Sequence, residues 1–356
     1  MKKTLLTICL VWMCFSLSAQ KIIDLSGKWS FSIDRQDNGE KEKWFSHTLN
    51  DFINLPGSMP EKLKGDEVTA KTQWTGSLYD SSYYYNPYME KYRKEGNIKF
   101  PFFLTPDKHY VGAAWYQKEV NIPADWKGER ILLFLERPHI ETTVWVNGQK
   151  TGMPNSLCVP HQYDITHYVR PGKCTITIRV DNRIKEINVG PDSHSITDQT
   201  QGNWNGIVGR ICLQTTPKTY FDDIQIYPEP EQKLARVKVV IKGTGTAKVK
   251  LSAESFNTDK KHIVPAIQQE IKLNKGVTET EMVLPMGNDM LLWDEFHPAL
   301  YKLKAEVTNG KKTEIKEIQF GMRRFEIKGK WFYVNGRKTQ LRGTVENCDF
   351  PLTGYA

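Results

Sequence analysis

Residue types able to do chemistry are concentrated in a few places. Between about residues 60 and 110 the chain sets Trp74, Tyr79, Tyr83, Tyr84, Tyr85, Tyr88 and Tyr92 among Asp, Asn, Pro and Lys. Flat aromatic faces cover the C–H surface of a sugar ring while polar neighbours take its hydroxyls, so one reading is a sugar-facing arm. The other is a long decorated loop packed on its own domain or on a further one, because the stretch has no clean alternation. Cys158, Cys174, Cys212 and Cys348 come after the leader and fit no zinc spacing, so no metal site is expected. A chain of this length stabilises a core without disulfides, and the four read as unpaired, small apolar fillers. His161, next to Pro160, reads as a hydrogen-bonded turn histidine, and Trp204 as core or domain joint. Glu136 fits a strand end beside Arg137, Glu281 fits an exposed strand position, and Glu346 stands without a partner carboxylate.

The elements that must position these residues are nearly all strands. The start is different: Met1-Lys2-Lys3, an apolar run from Leu5 to Leu17, then Ser18-Ala19-Gln20, the pattern of an export signal (residues 1–19) cleaved after Ala19. Export to the periplasm or outside the cell is therefore expected, and no later segment is apolar enough to span a membrane. The formal charge is +8, including Lys2 and Lys3 of the leader, and the basic residues are scattered in pairs such as Lys260-Lys261. No basic stripe interleaves with aromatics, so nucleic acid is not an expected partner.

Short strand patterns with turn signals then dominate. Cys174-Thr175-Ile176-Thr177-Ile178-Arg179-Val180 alternates with period two, the mark of a strand with one buried face. Asn147-Gly148 and Asn335-Gly336 are two-residue hairpin turns, because both central positions of such a turn want positive φ. Pro228 and Pro230 oppose regular pairing and suggest a stiff joint at Tyr227 to Glu231. The expected fold class is all-β: a large first sandwich over 20–227, a smaller immunoglobulin-like sandwich over 228–320, and a third unit beginning at 321–356. Read this way, the chain stops one strand into that third unit, at the threshold of a further domain.

Several segments in order point to one family. They are Trp115-Tyr116-Gln117-Lys118-Glu119-Val120, Val144-Trp145-Val146-Asn147-Gly148, Tyr163-Asp164-Ile165-Thr166, Val180-Asp181-Asn182 and Gly202-Asn203-Trp204-Asn205-Gly206-Ile207-Val208-Gly209-Arg210. Together they resemble the sugar-binding jelly roll that opens glycoside hydrolase family 2, which includes β-galactosidases, β-glucuronidases and β-mannosidases. Leu292-Trp293-Asp294 resembles a run near the end of that family's immunoglobulin-like domain. Gly321-Met322-Arg323 through Leu341-Arg342-Gly343 resembles the start of its (β/α)8 barrel.

The resemblance implies a β-galactosidase-like enzyme of carbohydrate catabolism that cleaves terminal β-glycosidic bonds of an oligosaccharide or polysaccharide-derived sugar with retention, without an organic cofactor. Its chemistry needs two glutamates on a barrel of about 250 residues. Far fewer residues come after Met322, so no catalytic residue is assigned in this chain, and it is expected to be inactive alone. The resemblance also implies that the loop before the closing strand turns polar groups toward the sugar. The candidates there are Asp198, Thr200, Gln201 and Asn203, with a loop that braces a domain joint as the alternative. Asn347 and Asp349 are the substrate-binding candidates at the barrel start. The run Thr344-Val345-Glu346-Asn347-Cys348-Asp349 holds no histidine, which departs from many β-galactosidases. Two rivals stand beside this reading: a stand-alone carbohydrate-binding protein, and a structural fragment without ligand.

Overall fold

The structure, a computed structural model, describes residues 21–75, 81–99, 105–156, 159–185, 193, 197–198, 202–274, 276–345, 350 and 352–355. The leader, Tyr79, Cys158, Glu346 and Cys348 therefore lie outside the described residues. The chain forms two compact units, one of Lys21–Thr216 with the segment from Gly343 on, the other of Pro217–Arg342.

The first unit holds β1 (Ile22–Asp24), β2 (Gly27–Asp34), β3 (Asp51–Leu55), β4 (Gly57–Ser58), β5 (Asp66–Glu67), β6 (Lys108–His109), β7 (Ala113–Ile122), β8 (Arg130–Pro138), β9 (Glu141–Val146), β10 (Gln149–Gly152), β11 (His161–Asp164), β12 (Gly172–Asp181) and β13 (Gly206–Thr216). Five of these form one sheet in the order β1-β13-β8-β11, with β4 also on β13; six form a second in the order β10-β9-β12-β7-β2-β3. Every ladder is antiparallel. Alternate residues of both sheets meet in one core: Leu133, Leu135, Ile211 and Leu213 from one, Phe31, Tyr116, Val144, Ile176 and Ile178 from the other. Asn147 (φ 50°) and Gly148 (φ 78°) make the turn between β9 and β10, as their types predict.

The alternation in β12 implied one buried face, but both faces are covered. Thr177, Arg179 and Asp181 point away from the core and are still buried. The cover is residues 34–49, which fold over the outer face of the six-stranded sheet. Trp115 and Trp145 stack there at 4.9 Å, Phe45 stacks on Trp145 at 5.1 Å, and Trp44 and Leu49 complete the patch. The Asp34 carboxylate holds the cover in place, accepting from Trp115 Nε1 and from the Asn38 and Gly39 amides, each at 2.9 Å.

Beside the tryptophans lies a charge cluster. Asp181, fully buried, faces Arg179 at 3.0 Å, Arg183 at 2.6 Å and Lys185 at 2.9 Å. Asp37 bridges Arg179 and Arg183, and Glu141 takes Lys185 at 2.9 Å. Burial would raise the Asp181 pKa, but hydrogen bonds from Arg183 and Lys185 and the Arg179 charge outweigh it and hold the carboxyl well below its usual range.

The second unit holds β14 (Tyr220–Glu229), β15 (Leu234–Lys242), β16 (Gly245–Phe256), β17 (Ile263–Leu273), β18 (Val277–Pro285), β19 (Leu300–Asn309), β20 (Lys312–Phe320), β21 (Phe325–Lys328), β22 (Trp331–Val334) and β23 (Arg337–Thr339). Its sheets run β14-β15-β18 and β17-β16-β19-β20, around a core that includes Val237, Val239, Val249, Leu251, Leu303 and Tyr301. The proline pair does not make a joint. Pro228 pairs with Ala235 inside the β14–β15 hairpin, and Pro230 begins its 3-10 turn. Proline is tolerated there because this is the outer edge of the sheet and the turn beside it. Asn335 (φ 49°) and Gly336 (φ 79°) turn β22 into β23 as expected. No further strand begins directly after β23; residues 340–345 are exposed and carry no ladder.

Asp181→Asn should destabilise the first unit by about 3 kcal/mol, because it removes the buried carboxylate that Arg179, Arg183 and Lys185 share and leaves Asp37 and Glu141 alone to face three cations. The depressed carboxyl also fixes a sign. Its contribution is complete above about pH 4, the ordinary carboxyl range, and is lost as pH falls below it. Urea unfolding of wild type and variant across that range tests both, and an equal acid slope in the two would overturn the assignment.

Candidate functional site

Asn182 follows β12, Asn203 and Asn205 come just before β13, and their side-chain amides bind this end of the unit together. Asn182 accepts from the Gly112 amide at 2.8 Å and donates to Tyr110 O at 2.8 Å. Asn205 donates to Gly112 O and Val180 O at 2.9 and 3.0 Å and accepts from the Tyr116 hydroxyl at 2.8 Å. Asn203 donates to Asn182 O and Thr75 Oγ1, each at 3.1 Å. Gly206 comes next because a Cβ there would sit 2.5 Å from Gly57 O.

Of the predicted site residues, Asp198 and Asn203 are brought together. Asp198 is buried, and its two oxygens accept from the Thr75 and Asn203 amides, both at 2.6 Å. His109 Nε2 lies 3.5 Å from the same carboxylate, with Trp74 against its ring at 4.7 Å. Asp198 thus ties the linking loop to residue 75. Thr200, Gln201, Asn347 and Asp349 lie outside the described residues. The other singled-out groups are elsewhere. Glu136 accepts from the Arg210 amide and Nε where β13 bulges, and Glu281 pairs with Arg236 on the second unit's surface. His161 is in strand β11 rather than a turn, buried and bonded to Thr142 Oγ1. Cys174 and Cys212 are buried free thiols, and burial pushes Cys174 up to about 11.

The same end carries an aromatic stack that sequence reasoning did not assemble. His139 lies over Trp204 at 4.6 Å and donates from Nδ1 to Trp204 O at 2.7 Å. On Trp204 sits Tyr355 at 5.6 Å, whose hydroxyl donates to Glu61 Oε2 at 2.5 Å; Ser58 Oγ donates to Thr353 O. Gly354 has φ 81° and touches Trp204 so closely that a Cβ would lie 2.4 Å from its ring. Burial drives the His139 pKa down to about 4, against a smaller opposing effect of Trp204 O and Asp198. A glycine beside a tyrosine in a loop is common, and only the contact with Trp204, far away in sequence, reveals its role.

The sequence is similar to families already described. Residues 22–217 match glycosyl hydrolases family 2, sugar binding domain, and residues 219–323 match a second family 2 domain. The chain belongs to glycoside hydrolase family 2. It is 23% identical over 355 residues to a β-glucuronidase of Paenibacillus borealis, covering 94% of this chain and 51% of that protein. With the β-galactosidase large subunit of Latilactobacillus sakei it shares 24% over 339 residues, covering 93% and 51%. The chain therefore spans about half the length of these curated relatives. Among solved structures, a Ruminococcus gnavus β-glucuronidase bound to D-glucaro-δ-lactam superposes with TM-score 0.61 at 18% identity, covering 92% of this chain and 49% of that one. That likeness is one of fold.

Two outcomes test the site. His139 is neutral when folded, so stability of the first unit is full above its ordinary pKa of about 6.5 and falls as pH drops toward 4. His139→Gln should flatten that slope; an unchanged slope would overturn the assignment. Gly354→Val should release the Tyr355 contact, seen as faster hydrogen exchange at residues 352–355 with β12 unchanged. Unchanged exchange would show that the contact does not hold the segment.

Proposed function

We propose that this chain is the N-terminal, non-catalytic portion of an exported family 2 exo-glycosidase. The observation that carries the reading is two consecutive family 2 matches spanning 22–323 in a chain half as long as its relatives. In this reading the first unit is a jelly roll and the second an immunoglobulin-like sandwich; two antiparallel sheets around one core in each unit support it. The hairpin β21–β23 and the residues after it are the approach to a (β/α)8 barrel. Exposed Phe325, Ile327 and Leu341 fit a surface that further chain covers.

The whole enzyme removes a terminal β-linked sugar with retention. One barrel carboxyl protonates the leaving oxygen and the other attacks the anomeric carbon, the two about 5–5.5 Å apart. The names of the relatives favour a β-glucuronide or β-galactoside as substrate. The loop from Asp198 to Asn203 contributes from this portion. Asp198 and Asn203 hold its base through the Thr75 bonds, and Thr200 and Gln201, with Asn347 and Asp349, offer hydrogen bonds to sugar hydroxyls. The first nineteen residues act as the export signal.

Purified from residue 20 on, this chain should show no turnover of aryl β-glucuronides or aryl β-galactosides. A longer product of the same reading frame should hydrolyse one of them and release the β-anomer first. Turnover by the chain itself, surviving removal of host glycosidases, would overturn the reading.

A further inference from the structure

The aromatic stretch singled out in the sequence divides in the structure. Trp74 turns inward against His109, and Tyr83 is buried with its hydroxyl on Tyr92 O. Tyr84, Tyr85 and Tyr88 stay outside, and Tyr92 is half-buried. Ser82–Tyr85 is one helical turn, Asn86 caps the next through the Tyr88 amide, and Pro87–Tyr92 is a 3-10 segment. On this arm Tyr84 is 62% exposed, Tyr85 73% and Tyr88 84%. Three large rings so exposed within five residues are a local concentration of apolar surface, beyond the single scattered exposures that any surface shows. The arm is also basic. Residues 81–99 hold Lys91, Arg93, Lys94 and Lys99 against Glu90 and Glu95, a net charge of +2. Glu90 is paired with Lys94, and Arg93 is turned onto the Tyr83 ring and carbonyl. Lys91, over the Tyr92 ring at 4.8 Å, and Lys99 are exposed cations in this segment.

We propose that the arm over residues 81–99 is a second carbohydrate site, apart from the Asp198 loop, that holds an acidic polysaccharide chain on the faces of Tyr85 and Tyr88, with Lys91 and Lys99 meeting its carboxylates. The proposal rests on the glycosidase reading for the class of ligand. The charge of the arm then selects an acidic glycan over a neutral one. An exposed tyrosine is suited to this work. Its ring covers a sugar's C–H face at a small entropic cost, and its hydroxyl stays available to water or to a sugar oxygen. The cations lengthen the encounter by attracting the polymer, and that part of the affinity weakens with salt. The site needs no catalytic residue, so it would act as a hold on substrate polymer while the enzyme works on chain ends.

The test uses this chain and no activity, so its failure and that of the glycosidase reading are distinguishable. Native affinity electrophoresis is run in gels containing polygalacturonate, neutral dextran or inorganic polyphosphate. Polygalacturonate should retard the chain, and dextran should not. The double variant Tyr85→Ala with Tyr88→Ala should lose at least tenfold in affinity for polygalacturonate and keep its affinity for polyphosphate. Lys91→Ala with Lys99→Ala should weaken polygalacturonate binding and reduce its salt dependence. All four side chains are exposed, so unchanged thermal unfolding is expected and checks the fold. Absence of retardation by polygalacturonate would overturn the proposal. So would equal retardation of wild type and tyrosine variant, or equal loss toward polyphosphate, since either leaves only a non-specific attraction of a basic chain for a polyanion.

Discussion

A β-ladder that stops leaves peptide groups in need of partners, and the first unit depends on how that need is met. Where β12 ends and β13 begins, Asn182, Asn203 and Asn205 supply the missing bonds, reaching Tyr110, Gly112 and Val180. A buried peptide group without a partner costs about 1–3 kcal/mol. Three amides therefore satisfy several such groups where the two strands meet. The Tyr116 hydroxyl, in the middle of the core, completes the arrangement on Asn205. Asp198 and its bonds to Thr75 become possible only once that frame exists.

The outer face of the six-stranded sheet shows a related economy. A cover of only about one short segment makes a second buried layer from Trp115, Trp145, Trp44 and Phe45, with Asp34 as its fastening. Burial of these rings forces the neighbouring polar positions of β12 out of water as well. Arg179 and Asp181 are tolerated there because each meets an opposite charge and a hydrogen bond. The aromatic layer and the charge cluster are thus one construction: the first excludes water, and the second answers for the polar groups that lose it.

Much of this was legible in the sequence, for local reasons. Asn147-Gly148 and Asn335-Gly336 announce their turns because few other pairs accept positive φ at both positions. Ile176, Ile178 and Val180 announce the core face of β12 by period two. What escaped was decided by partners far away in the chain. Thr177 and Arg179 look like a solvent face until residues 34–49 cover them. Pro228 and Pro230 look like a joint until β15 pairs beside them. At the candidate site, the identity of Asp198 could be read, but not that Thr75, 123 positions earlier, would use its carboxylate. Gly354 gives no local sign of Trp204 at all.

The charge cluster around Asp181 has a consequence for the molecule seen from a distance. Arg179, Arg183 and Lys185 stand against Asp37, Asp181 and Glu141, three cations and three anions within a few ångströms. Such a group has almost no monopole, and its field dies away quickly with distance. The +8 formal charge of the chain therefore belongs wholly to other residues. A passing polymer or ion responds to those alone, while the most heavily ionised corner of the fold stays electrically silent.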